Sequence, residues 1–158
     1  MPLDATQLAE LIEYHGAALR LWVRSRCSAA EDVVQEAFCK LAMQEPPPAN
    51  PVAWLYAVSR NLADKHRRSD DRRRRREAAC SAAEAIDCGD FMELAETVAA
   101  VEQLAGELRE VLVARIWGGL SLGEIARLCG ISTATACRRY QAALEALRIK
   151  LEVPSEKR

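Results

Sequence analysis

The stretch LGEIARLCGISTATACRRYQAA, Leu122 to Ala143, decides how this chain is read. Just ahead of it, Ser121-Leu122-Gly123-Glu124 has the spacing of a capping box, in which serine and glutamate satisfy backbone amides reciprocally. A short helix to about Cys129 follows. Gly130 stands at a tight turn, where a left-handed backbone costs little without a β-carbon. Ser132 can cap again, and a long helix runs from Thr133 to about Leu151. Ile125 and Ala126 face inward on the first helix, and the small Ala126 allows a close crossing. Ala136, Tyr140, Ala143, Leu144 and Leu147 form the inward stripe of the second. That leaves Ser132, Thr133, Thr135, Cys137, Arg138 and Arg139 toward the exposed N-terminal half. These are side chains that reach phosphates and major-groove base edges, and arginine is the usual bidentate partner of guanine. The pattern is a helix-turn-helix, and its polar, basic face distinguishes it from an αα-corner that binds nothing.

Upstream, Leu108 to Trp117 reads as a helix with Val111, Leu112, Arg115 and Ile116, stopped by Gly118-Gly119. Before Gly106, Met92 to about Leu104 places Leu94, Val98 and Val101 together. Residues 91–151 therefore form one small helical domain, and 152–158 a frayed tail. Residues 69–90 show no sustained apolar stripe and hold the run Arg72 to Arg76, which marks a charged, flexible linker whose arginines can extend the preceding helix.

The first domain, residues 1–68, opens with a helix from about Thr6 to Arg26, with Leu8, Leu11, Ile12, Leu19, Trp22 and Val23 on one stripe. Ser28-Ala29-Ala30-Glu31 reads as a second capping box, opening a helix to about Gln44 with Val34, Phe38 and Leu41 inward. Pro46-Pro47-Pro48 breaks that helix, and a third starts near Pro51, a residue tolerated in a first turn. Trp54, Leu55, Val58 and Leu62 line its buried side. The expected fold is all-α: an N-terminal helical bundle and a C-terminal helix-turn-helix domain.

Composition agrees. Of 158 residues, 50% are hydrophobic and 28% charged, and only 5% are aromatic, which favours helix over sheet. No apolar run approaches the roughly 18–20 residues of a membrane span, and Met1-Pro2-Leu3-Asp4 lacks a signal peptide's basic flank, so a cytoplasmic chain without membrane insertion is expected. The six cysteines should then be reduced. Cys39 and Cys129 fall near packed positions, Cys80 and Cys88 in the linker, and Cys137 on the helix-turn-helix face. None forms a Cys-x-x-Cys pair, so no metal and no cofactor is expected.

The net charge of −1 conceals its distribution. Arg60 to Arg76 holds nine Lys/Arg against Asp64, Asp70 and Asp71, whereas Glu77 to Glu110 holds nine acids against Arg109 alone. From Val111 onward eight bases outweigh four acids. Two basic blocks separated by an acidic one suggest two surfaces facing a polyanion. On the third helix, Arg60, Asn61, Asp64, Lys65, Arg67 and Arg68 lie away from the apolar stripe. A basic, amide-bearing face beside Trp54 and Tyr56 suits a nucleic acid with exposed bases, although Trp54 also serves as core. On the second helix Asp32, Gln35, Glu36 and Lys40 face outward. With only His15 and His66 in the chain and no Glu-x-x-His motif, that acidic face suits docking to a basic protein surface better than catalysis.

In this order the blocks resemble the extracytoplasmic-function (group IV) sigma factors of the sigma-70 family, promoter-specificity subunits of bacterial RNA polymerase. Ala30 to Phe38 looks like region 2.2, which grips the clamp helices of the β′ subunit; Trp54 to Asp64 is similar to regions 2.3 and 2.4, which open the duplex and read the promoter; Leu108 onward looks like region 4, which reads the upstream element and touches the β flap. The resemblance implies that Asp32, Gln35 and Glu36 face core polymerase. It implies that Arg60, Asn61, Asp64, Arg67 and Arg68 face opened promoter DNA, and that Ser132, Thr133, Thr135, Arg138 and Arg139 enter the upstream major groove. An anti-sigma factor is a further candidate partner. No bond would be made or broken by the chain itself. Two other readings stay open: a stand-alone helix-turn-helix regulator that dimerises on a symmetric operator, and a helical adaptor that uses only the Asp32/Glu36 face.

Overall fold

A computed structural model describes residues 3–74 and 95–152. These form seven α-helices and no strand: α1 (Ala5–Val23), α2 (Ala30–Ala42), α3 (Pro51–Arg74), α4 (Ala95–Glu102), α5 (Gly106–Ile116), α6 (Leu122–Cys129) and α7 (Thr133–Glu152). The all-helical expectation holds.

α1, α2 and α3 pack on one another. The buried part of α1 is its second half, where Leu19, Trp22 and Val23 have no exposure. Ile12, expected on the inward stripe, is 47% exposed. It sits one helical step, about 100°, past the half-buried Leu11, and the packed strip there is too narrow to include both. The capping box expected at Ser28 does not form, because α2 starts at Ala30 with Ala29 at its N-cap and no side-chain bond there. Glu31 instead pairs with Arg20 at 3.4 Å. Val33, Val34, Ala37, Phe38 and Leu41 make the buried face of α2. α3 is capped by Asn50, whose side-chain oxygen accepts from the Ala53 amide at 3.0 Å. It runs on to Arg74, so the linker expected from residue 69 begins with more than a turn of helix. Cys80 and Cys88 lie outside the described residues.

Tyr56 corrects a sequence expectation. Rather than standing beside exposed bases it is fully buried, edge-on to Trp22 with ring centroids 5.1 Å apart and planes at 74°. Aromatic rings favour that geometry because a positive edge meets a negative face. Its hydroxyl is buried without a partner, and burial pushes its pKa up. Trp54 is half-buried against the core.

In the second domain α5 and α6 both pack against α7, and α4 rests on α7. The capping box at Ser121 forms: its amide donates to Glu124 Oε2 (2.8 Å) and its Oγ accepts from the Glu124 amide (3.2 Å). Gly130 takes φ +67°, the left-handed turn that the sequence required. Ala126 is nearly buried and Ala136 and Ala143 fully so, which lets α6 and α7 cross closely. Leu144, expected inward, is 41% exposed, since the neighbouring Ala143 occupies the contact. Ile116 at the end of α5 is likewise half-exposed.

The central feature is α5. Glu110, Val111, Leu112, Val113 and Ala114 are consecutive and all buried. At about 100° per residue such a run covers the whole circumference of a helix, and a helix buried all round must be enclosed on every side. α7 covers one side and α1 the other, while α6 meets α3, so the two domains share one continuous core.

Candidate nucleic-acid interface

At the start of α7 the polar side chains hold one another. Ser132 Oγ accepts from the Thr135 amide (3.1 Å) and lies 2.8 Å from Thr135 Oγ1, which accepts in turn from Arg138 (3.2 Å). Thr133 and Arg138 are exposed beside them. The network orders the arginine before any ligand arrives, which lowers the entropy lost on contact. Arg139 is turned away from this group: half-buried, it pairs with Glu107 of α5 at 2.9 Å. The exposed face expected to hold all five residues therefore gathers Ser132, Thr133, Thr135 and Arg138.

On α3, Asn61, Arg67 and Arg68 are exposed as expected, but Arg60 and Asp64 are tied up. The Arg60 guanidinium donates to the backbone carbonyls of Leu128 and Cys129 (3.3 Å for the latter), at the C-terminal end of α6. A cation there meets the unsatisfied carbonyls and the negative end of the helix dipole. Asp64 Oδ1 accepts from Arg26 at 3.0 Å and faces Arg67 at 4.0 Å.

The acidic face of α2 is as expected. Asp32 and Gln35 are exposed, and Glu36 is partly offset by Lys40 (3.6 Å) and lies 3.9 Å from His66 Nε2. Among the described residues no cluster of His, Cys, Asp and Glu is placed to hold a metal. Cys39 is exposed rather than packed, while Cys129 is half-buried and burial pushes its thiol pKa up.

Sequence reasoning missed the residues that join the domains. Arg26, between α1 and α2, pairs with Glu110 of α5 as well as with Asp64 of α3; Glu110 is only 7% exposed. Burial works against the Arg26 charge, but the two carboxylates outweigh it and its pKa is raised. Trp22 Nε1 donates to the Glu110 carbonyl oxygen (3.1 Å), and Arg24 pairs with Glu102 at 2.6 Å. The one available signal was Glu110 at the head of Val111-Leu112-Val113-Ala114, a carboxylate in a run with no polar face.

The described helices match two family models. Residues 11–73, from α1 through nearly all of α3, match sigma-70 region 2, and residues 94–147, from α4 into α7, match sigma-70 region 4. Over 94% of its length the chain is 30% identical to the ECF RNA polymerase sigma factor SigL of Mycobacterium tuberculosis, covering 91% of that protein. The chain belongs to the ECF sigma factors. Two solved structures resemble this sigma factor. One is the sigma factor RpoE in complex with the anti-sigma factor NepR from Bartonella quintana, at TM-score 0.66 and 25% identity, with 92% of this chain and 96% of that one covered. The other is CnrH in complex with the cytosolic domain of CnrY, at TM-score 0.56 and 25% identity, with 96% and 92% covered. Sigma factors direct RNA polymerase to promoters, so the two basic surfaces belong to a protein of transcription initiation. Among the described residues no helix is long and apolar enough to cross a membrane.

Proposed function

We propose a division of labour among three surfaces of this sigma factor. Asp32, Gln35 and Glu36 dock on core polymerase at the clamp helices of β′. Arg60, Asn61, Asp64, Arg67 and Arg68 serve the opened promoter, and Ser132, Thr133, Thr135 and Arg138 read the upstream element beside Arg139, which must leave Glu107 to join them, with the same domain touching the β flap. The observation that carries this reading is the hydrogen-bonded Ser132–Thr135–Arg138 group at the exposed start of α7, directly after the left-handed Gly130 turn. A helix-turn-helix presents these positions to base edges. Arg67 and Arg68 are exposed and can neutralise phosphate, with Asn61 exposed beside them to hydrogen-bond, which makes binding salt-dependent.

The chain performs no chemistry of its own in this scheme; it needs no cofactor, and it works in the cytoplasm alongside polymerase. An anti-sigma factor is a proposed partner, supported by the similar RpoE having been solved with NepR. Capture of core polymerase by the wild type and by an Asp32→Arg/Glu36→Arg variant tests the scheme. The wild type is expected to retain polymerase and the variant to lose it. A wild type that shifts promoter DNA alone, without retaining polymerase, would instead identify a stand-alone regulator.

A further inference from the structure

Two neighbouring arginines near the start of α7 hold different partners. Arg138 is exposed and is ordered from within its own helix by Thr135 Oγ1 (3.2 Å). Arg139 follows four positions after Thr135, so it stands one turn along the same helix face. Its guanidinium is drawn aside: Nη2 lies 2.9 Å from Oε2 of Glu107, on α5 of the same domain. The two ends of this pair differ in their surroundings. The Arg139 side chain is 25% exposed and that of Glu107 71%. Glu107 stands in the first turn of α5, where the amides of Leu108 and Arg109 each donate to the Ala105 carbonyl at 2.9 Å. A carboxylate there is favoured by water and by the positive end of the helix dipole, with or without Arg139. A guanidinium that is mostly covered keeps less water and needs an anion beside it. Glu107 can therefore let go easily, whereas Arg139 is best served by always holding an acceptor.

We propose that Glu107 is a built-in competitor for DNA phosphate: it occupies Arg139 in the free protein, and binding at the upstream element exchanges the carboxylate for a phosphate on the same guanidinium. Arginine suits such an exchange, because its planar fork matches carboxylate and phosphate alike. The pair is also weak enough to break, since an ion pair with one member in water contributes little. A staple between α5 and α7 is the other role such a pair could have, but those helices are already joined through buried apolar side chains such as Val111, Leu112 and Ala143. Breaking the pair is nonetheless subtracted from the gain of the phosphate contact. Glu107 thus sets how tightly α7 grips DNA without touching DNA itself. The exchange takes place inside the helix-turn-helix domain and needs no movement of the N-terminal one. It rests on the reading above, in which Ser132, Thr133, Thr135 and Arg138 enter the groove.

A double-mutant cycle in the reconstituted holoenzyme tests it. The probe is a promoter fragment that the wild type selects, with affinity followed across salt concentrations. Glu107→Gln is expected to tighten promoter binding by up to about fivefold, the most that a surface ion pair contributes. Its salt slope should stay unchanged, because the same phosphates are contacted. Arg139→Met keeps the aliphatic stem and loses the charge, so it should weaken binding and lower the salt slope by about 0.9, the share of one phosphate. In the Arg139→Met background, Glu107→Gln is expected to have no effect. A gain that persists there would mean that Glu107 only repels DNA at a distance, and would overturn the exchange. Binding by Glu107→Gln that is unchanged or weaker would overturn it too, making the pair a staple between α5 and α7. Helical content by circular dichroism is matched throughout, and Arg139→Gln replaces Met if Met lowers it. Arg138→Ala reports on the underlying reading. If it leaves promoter affinity unchanged, α7 does not read the element and the exchange falls with that reading. If it weakens binding while Glu107→Gln gives no gain, the exchange alone fails.

Discussion

The start of α7 and the basic face of α3 are both surfaces for DNA, yet they are assembled in opposite ways. On α7, Ser132, Thr135 and Arg138 are ordered by partners three residues away. On α3, Arg60 and Asp64 are ordered by partners 68 and 38 residues away, across or beside the domain seam. A locally built surface keeps its geometry whatever the domains do. A surface built from long-range contacts changes with every rearrangement, and so can report or regulate it.

The largest expected effect tests the long-range side. Glu110→Ala leaves Arg26 with Asp64 as its one carboxylate; a buried charge left wholly unpaired costs about 3–5 kcal/mol, which sets the upper limit of the loss. Urea unfolding should show a lower midpoint, and a midpoint unchanged from wild type would mean the triad carries no load. On the local side, Arg138→Ala should weaken promoter binding by about 1–3 kcal/mol at one base position. The measurement is holoenzyme affinity for promoters substituted base by base; a uniform loss across all sequences would make Arg138 a phosphate contact instead. Arg60→Ala sharpens the contrast, since it should weaken promoter binding and open the seam together, whereas Arg138→Ala should leave compactness untouched.

Smaller still is Ser132→Ala, which removes the cap of α7 and should lower stability by about 1 kcal/mol, read by thermal unfolding. The smallest effect is acid-dependent. Glu124 accepts from the Ser121 amide, and these hydrogen bonds hold its carboxyl below the usual carboxylate range. Its folded pKa is thus below its unfolded one, so its contribution is complete above the unfolded value and fades as pH falls through the folded one. Glu124→Gln should lower the thermal midpoint at neutral pH, and the gap from wild type should close below about pH 4. A gap that stays constant in acid would show that charge at this cap is irrelevant.

The same divide explains what could be read from the sequence. The Ser121 box, the Gly130 turn and the Ser132 cap each depend on residues within four positions, and all three are present as expected. Pro51 opened α3 for the same local reason. The misses depend on neighbours far away in sequence. Ser28 has the right spacing to Glu31, but Arg20 of α1 takes the carboxylate. Tyr56 looked available for stacking because Trp22 on α1 and Gly118 just past the end of α5, which enclose it, are far from it in sequence. Ile12 and Leu144 satisfy their helical stripes but lie where the partner helix gives no cover. Asp64 and Arg60 fall on the polar face of α3, and only the fold reveals that this face is already occupied.

The all-round burial of residues 110–114 in α5 has a consequence for handling the protein. If α5 leaves α1, the newly uncovered surface includes the Trp22 edge and the apolar flank of Val111 to Ala114. Apolar patches of that kind drive self-association when nothing covers them. An opened chain is therefore a sticky one, stable in company and prone to clump alone. Preparations with a weakened seam should show concentration-dependent light scattering that core polymerase suppresses, which makes solubility itself a measure of how tightly the protein is closed.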